Sequence, residues 1–88
     1  MSFILMTSLM YAQVRVTGTV TSSDDGNPLP GVNVVVQGTT SGSITNLEGV
    51  YEISVSEGAT LVFSFIGYET QEIVLSPGQT SHAVVLQL

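Results

Sequence analysis

The 88-residue chain contains no cysteine, no lysine and no tryptophan. Without cysteine it can form neither a disulfide framework nor a thiolate metal site. Arg15 is its one basic residue besides a single histidine, and seven acids bring the formal net charge to −6 at pH 7. Nucleic acid and anionic lipid both require basic side chains that replace counterions. We therefore expect no nucleic-acid partner and no direct membrane insertion.

Charged residues make up only 9% of the chain, against about 25% in ordinary domains. Serine, threonine, glycine and valine take their place, and the β-branched members of that set favour strands. The length suits one domain. Together these features predict a single strand-rich module.

The first residues resemble an export signal. Residues 3–11 form an apolar run of the length of a signal-peptide core, followed by the small residue Ala12. The run is shorter than the ~20 apolar residues that cross a bilayer. No Lys or Arg precedes it, so we interpret residues 1–13 as a partial signal peptide, with the sequence beginning inside the leader. The alternative is that residues 3–10 form a first strand or helix of the domain.

From Val14 onward, apolar and polar residues alternate with the period of a half-buried strand. Val14, Val16 and Val20 share one face. The same alternation predicts strands at 32–37, 51–55, 61–66, 68–75 and 84–88, with a very short strand at 43–45. Turn-forming residues separate them, including an expected hairpin turn at 56–58 and an inward-facing Leu88. Seven short strands with regular turn signals predict an all-β sandwich over residues 14–88.

Catalytic chemistry has few candidates. His82 is the only histidine, and without cysteine or a second histidine it makes a poor zinc site. No serine occupies a G-x-S-x-G motif. The carboxylate pairs Asp24–Asp25 and Glu48–Glu52 lack an aromatic cleft or an evident basic partner of the kind that tunes acid–base catalysis. We expect no enzymatic activity and no cofactor.

Calcium is the more reasonable ligand to consider. Asp24, Asp25 and Asn27 supply three side-chain oxygen donors within four residues, and calcium prefers such oxygens. The spacing is not that of an EF-hand. An ordinary polar turn, in which aspartate bonds its own backbone, explains the same residues.

Several segments in order carry a family resemblance: TGTV at 17–20, PLPGVNV at 28–34, GTTSGSITN at 38–46, EGVYEI at 48–53 and LVFSFIGYETQ at 61–71. Together they resemble the carboxypeptidase-regulatory-like (transthyretin-like) domain. More narrowly, they resemble the copy at the N-terminus of SusC/RagA-type TonB-dependent outer-membrane receptors of Bacteroidota. Family members often have Asp where this chain has Asn46. The sequence also stops at Leu88, where such a receptor would continue, which favours a fragment over a free-standing module.

The resemblance implies a seven-stranded Ig-like/transthyretin-like (prealbumin-like) sandwich without catalysis. It implies an exported accessory domain at the periplasmic face of the outer membrane, contacting its own receptor's plug or barrel or the TonB machinery. A free-standing structural, adhesive or carbohydrate-binding sandwich is an alternative, as is a folding partner of a peptidase. The motif residues then have architectural roles, with the Tyr68 hydroxyl expected to stay in water. These residues are Pro30, Gly31, Gly38, Thr39, Gly42, Gly49, Tyr51, Gly67 and Tyr68.

Overall fold

The computed structural model describes residues 13–88, so all but the last residue of the predicted signal peptide lies outside the described part of the chain. Seven strands follow one another: β1 (Gln13–Ser22), β2 (Asn33–Val36), β3 (Gly42–Ile44), β4 (Val50–Ser56), β5 (Thr60–Ser64), β6 (Gln71–Val74) and β7 (Val84–Leu86). They form a three-stranded sheet in the order β4-β1-β7 and a four-stranded sheet in the order β3-β2-β5-β6. The predicted all-β, seven-stranded sandwich is confirmed.

The inner faces of the two sheets form one apolar core. Most of its members lie in β1, β2, β4, β5 and β7 at the positions that the two-residue period assigns to the inside, because alternate side chains point to the same face. Val32 and Leu75 lie just outside β2 and β6. The fully buried side chains with the largest volumes are Tyr51, Phe63, Leu61 and Leu86. Tyr51 and Phe63 meet edge to face, with ring centroids 5.1 Å apart, the arrangement that aromatic quadrupoles favour.

β1 organises the three-stranded sheet because both of its neighbours pair with it. β4 runs antiparallel along Gln13–Thr19, and β7 runs parallel along Val20–Ser22. The 80–82 segment extends this second pairing, since the Thr17 N–H donates to the Thr80 carbonyl at 3.0 Å and the His82 N–H donates to the Thr17 carbonyl at 3.1 Å. Ten residues of β1 therefore hold the sheet together.

The predicted hairpin at 56–58 is wrong. β4 pairs with β1 in one sheet, whereas β5 pairs with β2 and β6 in the other. Residues 57–59 thus carry the chain from one sheet to the other. Two alternating segments joined by a short turn have the same pattern whether they pair side by side or face each other across a core, so periodicity cannot separate the two cases.

Several strand boundaries also differ from expectation: β2 is Asn33–Val36 rather than 32–37, β5 is Thr60–Ser64 rather than 61–66, and β7 ends at Leu86. The short strand is Gly42–Ile44 rather than 43–45, because Thr45 instead exchanges backbone hydrogen bonds with the 31–32 segment. The predicted strand at 68–75 is limited to Gln71–Val74, since the Glu69 N–H donates to the Gln87 carbonyl at 2.7 Å outside the ladder. Leu88 is 62% exposed rather than inward-facing, as it lies beyond the end of β7.

Gly49 lies where the chain enters β4. Its φ of +73° belongs to the left-handed region, and a Cβ there would lie 2.7 Å from the Val20 carbonyl oxygen and 3.0 Å from Pro28 Cβ. Both neighbours are held in place, because the Val20 carbonyl accepts the Leu29 N–H at 2.9 Å. Conformation and space together require glycine at this position.

We expect Gly49→Val to destabilise the fold by more than about 2 kcal/mol, since it adds backbone strain to a steric overlap. Chemical denaturation measures this as a lower midpoint. Gly58→Val is the matched control, because Gly58 has the same φ of +73° but open space around it; that change adds only the backbone strain and should cost about 1–2 kcal/mol. Equal midpoints for the two variants would contradict the steric argument.

Candidate functional site

The most constrained polar site is the junction of Tyr51, Gly18 and His82. Gly18 lies directly opposite Tyr51 in the β1–β4 register. The Tyr51 side chain crosses β1 at this point, and its hydroxyl donates a hydrogen bond of 2.6 Å to the His82 carbonyl. One side chain of β4 therefore reaches over the central strand to the segment that leads into β7.

This crossing depends on the absence of a side chain at residue 18. A Cβ on Gly18 would overlap the His82 carbonyl oxygen and approach the Tyr51 hydroxyl to 2.7 Å. Gly18 was not among the residues predicted from the sequence to have a role. The sequence nevertheless contains a signal for this role, because Gly18 interrupts the inward-facing series Val14, Val16, Val20. A glycine within a strand often marks the close approach of another group.

Burial changes the ionisation of the Tyr51 phenol. The side chain is 1% exposed, and desolvation raises its pKa from 10.0 to about 12. The neutral form is the one that can donate to the His82 carbonyl, so the fold and the protonated phenol stabilise each other.

The turn between β3 and β4 is held by the side chains of Thr45 and Asn46, for which the sequence predicted no role. The buried Thr45 hydroxyl donates to the Leu29 carbonyl at 2.6 Å and accepts the Val32 N–H at 2.9 Å. Asn46 Oδ1 accepts the N–H groups of Glu48 at 3.0 Å and Val50 at 2.9 Å. In the sequence, the short polar residues Thr45 and Asn46 close to Gly49 were the signal that could have indicated this role. Their contacts show that both side chains cap the turn.

The three calcium candidates lie in the exposed loop after β1. Both carboxylate oxygens of Asp25 accept hydrogen bonds from Asn27, Oδ1 from the backbone N–H at 2.9 Å and Oδ2 from the side-chain amide at 3.0 Å. The Asp24 N–H donates to Ser22 Oγ at 3.2 Å. This is the geometry of an Asx turn, and calcium would compete with Asn27 for the Asp25 carboxylate.

The other predicted motif residues lie in turns and at strand ends. Gly31, Gly38 and Gly67 have positive φ values of 81°, 80° and 88°. Pro30 is exposed just before Gly31, and Gly42 begins β3. The Thr39 hydroxyl donates to the Val36 carbonyl at 2.9 Å and accepts the Ser41 N–H at 3.0 Å, which fastens the β2–β3 turn.

Tyr68 differs from expectation. Its hydroxyl does not simply face water but donates to the Oγ of the buried Ser22 at 3.0 Å. Its ring packs against Phe65, with centroids 5.8 Å apart. The turn after β5 is therefore tied to the end of β1, at the same end of the sandwich as the 23–32 loop.

The acid–base candidates are not assembled into a site. Within residues 13–88 no group of three or more His, Asp or Glu side chains could hold a metal ion, and no pocket is found in this range. Glu52 has a basic neighbour that the sequence did not reveal, since Arg15 Nη2 lies 2.7 Å from its Oε1 on the exposed face of the sheet. Arg15 and Glu52 are diagonal neighbours across the β1–β4 register, because Arg15 lies opposite Ser54 and Glu52 lies opposite Thr17. Sequence spacing alone does not reveal this proximity.

The outer faces of the two sheets differ in chemistry. The three-stranded sheet exposes hydroxyls and the Arg15–Glu52 pair. The outer face of the four-stranded sheet is mainly apolar, with Val35 opposite Val62 across the β2–β5 register and with Ile44 and Val74 63% and 71% exposed. Glu72, opposite Val62, is a charged side chain on this face. No segment of residues 13–88 forms a helix of the length and apolarity that crossing a membrane requires. The exposed faces and strand edges are the surfaces available for contact.

Removal of the Tyr51 hydroxyl should change how stability depends on pH. The raised pKa means that the folded state retains a proton between about pH 10 and 12 that the unfolded state has lost. Stability is therefore complete below pH 10 and falls as the pH rises towards 12, by about 3 kcal/mol in all. Tyr51→Phe should abolish this fall while costing about 1–2 kcal/mol at neutral pH through the lost hydrogen bond.

Denaturation midpoints measured from pH 7 to 12 test this expectation. Tyr68→Phe is the control, because it removes a hydroxyl and leaves Tyr51 intact, and the alkaline fall should persist in it. An alkaline fall of unchanged size in Tyr51→Phe would contradict the assignment.

Calcium binding by Asp24, Asp25 and Asn27 stays a prediction. If it occurs, millimolar calcium should raise the melting temperature, because a ligand that binds only the folded state stabilises it. Asp25→Asn should remove that rise. An unchanged melting temperature at millimolar calcium would rule the site out.

Comparison with known proteins places this architecture in a family. The model of the CarboxypepD_reg-like domain matches residues 16–88. TonB-dependent receptor P3 of Formosa agariphila is 46% identical over 90 residues, covering 100% of this chain and 9% of the receptor. TonB-dependent receptor SusC of Bacteroides thetaiotaomicron is 46% identical over 61 residues, covering 69% of this chain and 6% of the receptor. The chain thus spans less than a tenth of these curated relatives.

Solved structures share the fold. A chain of a type II Cohesin-X-Dockerin complex from Acetivibrio cellulolyticus superposes with a TM-score of 0.69 at 21% identity, over 83% of this chain and 56% of that one. This likeness concerns the fold alone. With the family model covering almost all of the described residues, the chain belongs to the CarboxypepD_reg-like domain family.

Proposed function

We propose that this domain is a non-catalytic accessory domain of a TonB-linked outer-membrane receptor for nutrient (glycan or peptide) uptake, acting by protein–protein contact at the periplasmic face. The observation that carries the proposal is the 46% identity to TonB-dependent receptor P3 over the full length of this chain. Similarity at that level across every strand and turn extends beyond a shared fold.

The chemistry of the domain agrees with a contact function. Its interior polar groups are used within the fold: the Tyr51 hydroxyl on His82, the Thr45 hydroxyl on Leu29 and Val32, and Ser22 Oγ with Tyr68. In the described residues no buried side-chain polar atom lacks a partner. A rigid sandwich whose polar interior is satisfied offers its strand edges and outer faces to a partner, as protein interfaces require.

The reading frame beyond Leu88 gives the first test. A receptor should continue into a TonB-contacting segment, a plug and strands of a barrel. Repeated sandwiches would instead favour a structural or adhesive protein, and a zinc-peptidase motif would favour a folding partner of a peptidase. Either of those outcomes would overturn the proposal.

In-frame removal of residues 14–88 from the gene tests the function directly. We expect the receptor to reach the outer membrane at normal abundance but to take up its nutrient more slowly, because a contact has been lost and not the transport path. Uptake of labelled nutrient and immunoblotting of membrane fractions measure the two effects. Gly58→Ala in the intact receptor is the control and should leave uptake unchanged. Normal uptake by the deletion at equal abundance would contradict the proposal.

A further inference from the structure

Among the strands of residues 13–88, β4 forms a free edge of the three-stranded sheet. The hydrogen bonds at its start show which way its backbone groups point. The Val20 N–H donates to the Gly49 carbonyl at 2.8 Å, whereas the Val50 N–H turns away from β1 and donates to Asn46 Oδ1. Because antiparallel pairs alternate along the ladder, the N–H and C=O groups of Glu52 and Ser54 also point away from β1.

The hydrogen bonds of β1 confirm this alternation from the other side. Thr17 lies opposite Glu52 in the register. Its N–H and carbonyl both bond to the 80–82 segment and not to β4. The Thr17–Glu52 pair is therefore a non-hydrogen-bonded pair, and the backbone groups of Glu52 and Ser54 face the open side of the sheet.

This edge carries few of the features that prevent strand addition. Protein edges are usually protected by proline, lysine, a bulge or a very short strand. β4 has seven residues with neither proline nor lysine, and its register with β1 runs from Ser56 to Val50 without a skipped residue. The other edge strands, β3, β6 and β7, have only three, four and three residues.

The charges along β4 indicate what would pair with it. Glu48 precedes the strand, Glu52 lies at its middle and Glu57 follows it, and all three are exposed. Arg15 neutralises Glu52, and no Lys or other Arg exists in the sequence to neutralise the remaining two. An extended segment laid along this edge would pass a negative charge at each end.

A second copy of the chain fits this edge poorly. If two β4 strands pair antiparallel about Ile53, residue 48 of one copy faces residue 58 of the other, so Glu48 comes within one position of Glu57. The same repulsion recurs at the opposite end. Like charges on neighbouring strands destabilise a sheet. A strand with lysine or arginine at those places would instead meet opposite charges.

We propose that the free edge of β4 accepts an extended, lysine- or arginine-bearing segment of a partner protein as a fourth strand of the three-stranded sheet. The proposal rests on the protein-contact function and names the partner's chemistry. Main-chain hydrogen bonds to Glu52 and Ser54 supply affinity, and Glu48 and Glu57 select a basic partner, as in other strand-addition complexes.

A direct test titrates the 88-residue chain with a synthetic peptide, Lys-Thr-Val-Lys-Val-Thr-Lys, followed by amide NMR. We expect the largest shifts and the strongest slowing of hydrogen exchange at the amides of Glu52 and Ser54. The same peptide with all of its backbone amides N-methylated should not bind, because neither of its edges can then donate hydrogen bonds to the carbonyl groups of β4. A peptide with Glu in place of Lys should bind much more weakly. Absence of binding, or shifts confined to β6 or to the apolar outer face, would overturn the proposal.

Ser54→Pro is the decisive variant, since the Ser54 N–H faces the open side and its removal leaves the β1–β4 ladder intact. It should abolish binding, whereas the matched Ser54→Thr should bind normally. Should Ser54→Pro fail to fold, Glu48→Gln and Glu57→Gln provide the second measurement. Each should weaken binding about 2- to 5-fold at low salt, and neither should do so at about 1 M salt, where charges are screened.

The two proposals can fail separately. Ser54→Pro placed in the intact receptor, at normal abundance and with the fold verified, should slow nutrient uptake as removal of the domain does. Slow uptake on removal of the domain together with normal uptake in Ser54→Pro would retain the accessory function and overturn the role of the β4 edge. Normal uptake in both would overturn the accessory function.

Discussion

The hydrogen bond from the Tyr51 hydroxyl to the His82 carbonyl is the interaction on which the three-stranded sheet most depends. It joins β4 to the segment before β7 across the central strand, and it exists only because Gly18 has no side chain at the crossing. The Tyr51 ring meanwhile packs against Phe63 of the opposite sheet. One residue thus connects both edges of one sheet and the two layers of the sandwich, and its burial makes the neutral phenol part of the folded state.

The same constraint explains why residues 13–88 offer surfaces rather than a pocket. A chain of 88 residues buries a smaller share of its surface than a larger domain does, so its interior polar groups have to contribute to stability. Thr45, Ser22 and Tyr51 all do so by bridging separate segments. Two kinds of surface are then available for function: the outer faces of the sheets and the unpaired edge of β4. The edge provides directional hydrogen bonds, whereas the apolar face of the four-stranded sheet provides only area.

Much of the fold followed from a two-residue period. Val16, Val20, Ile53, Val55, Leu61 and Phe63 are all buried where alternation places them. The pattern failed at 56–58, where it cannot distinguish a hairpin from a crossing between sheets, and at Leu88, where alternation continues but its neighbouring strand does not. Tyr68 was assigned to water because a tyrosine at a sandwich edge commonly reaches it, yet the buried Ser22 lies within 3.0 Å of its hydroxyl. These failures share a cause, since each depends on which distant segment is adjacent.

The sequence by itself determined the class of the domain, the identity of its core residues, the sites of most of its turns and its family, because these follow from local alternation, turn-forming residues and motif order. Only the tertiary structure decided how the strands divide between the two sheets, why residue 18 has to be glycine, that Arg15 pairs with Glu52 and which edge is left open. Those features depend on contacts between residues far apart in the chain, such as Tyr51 with His82, and no local pattern specifies them.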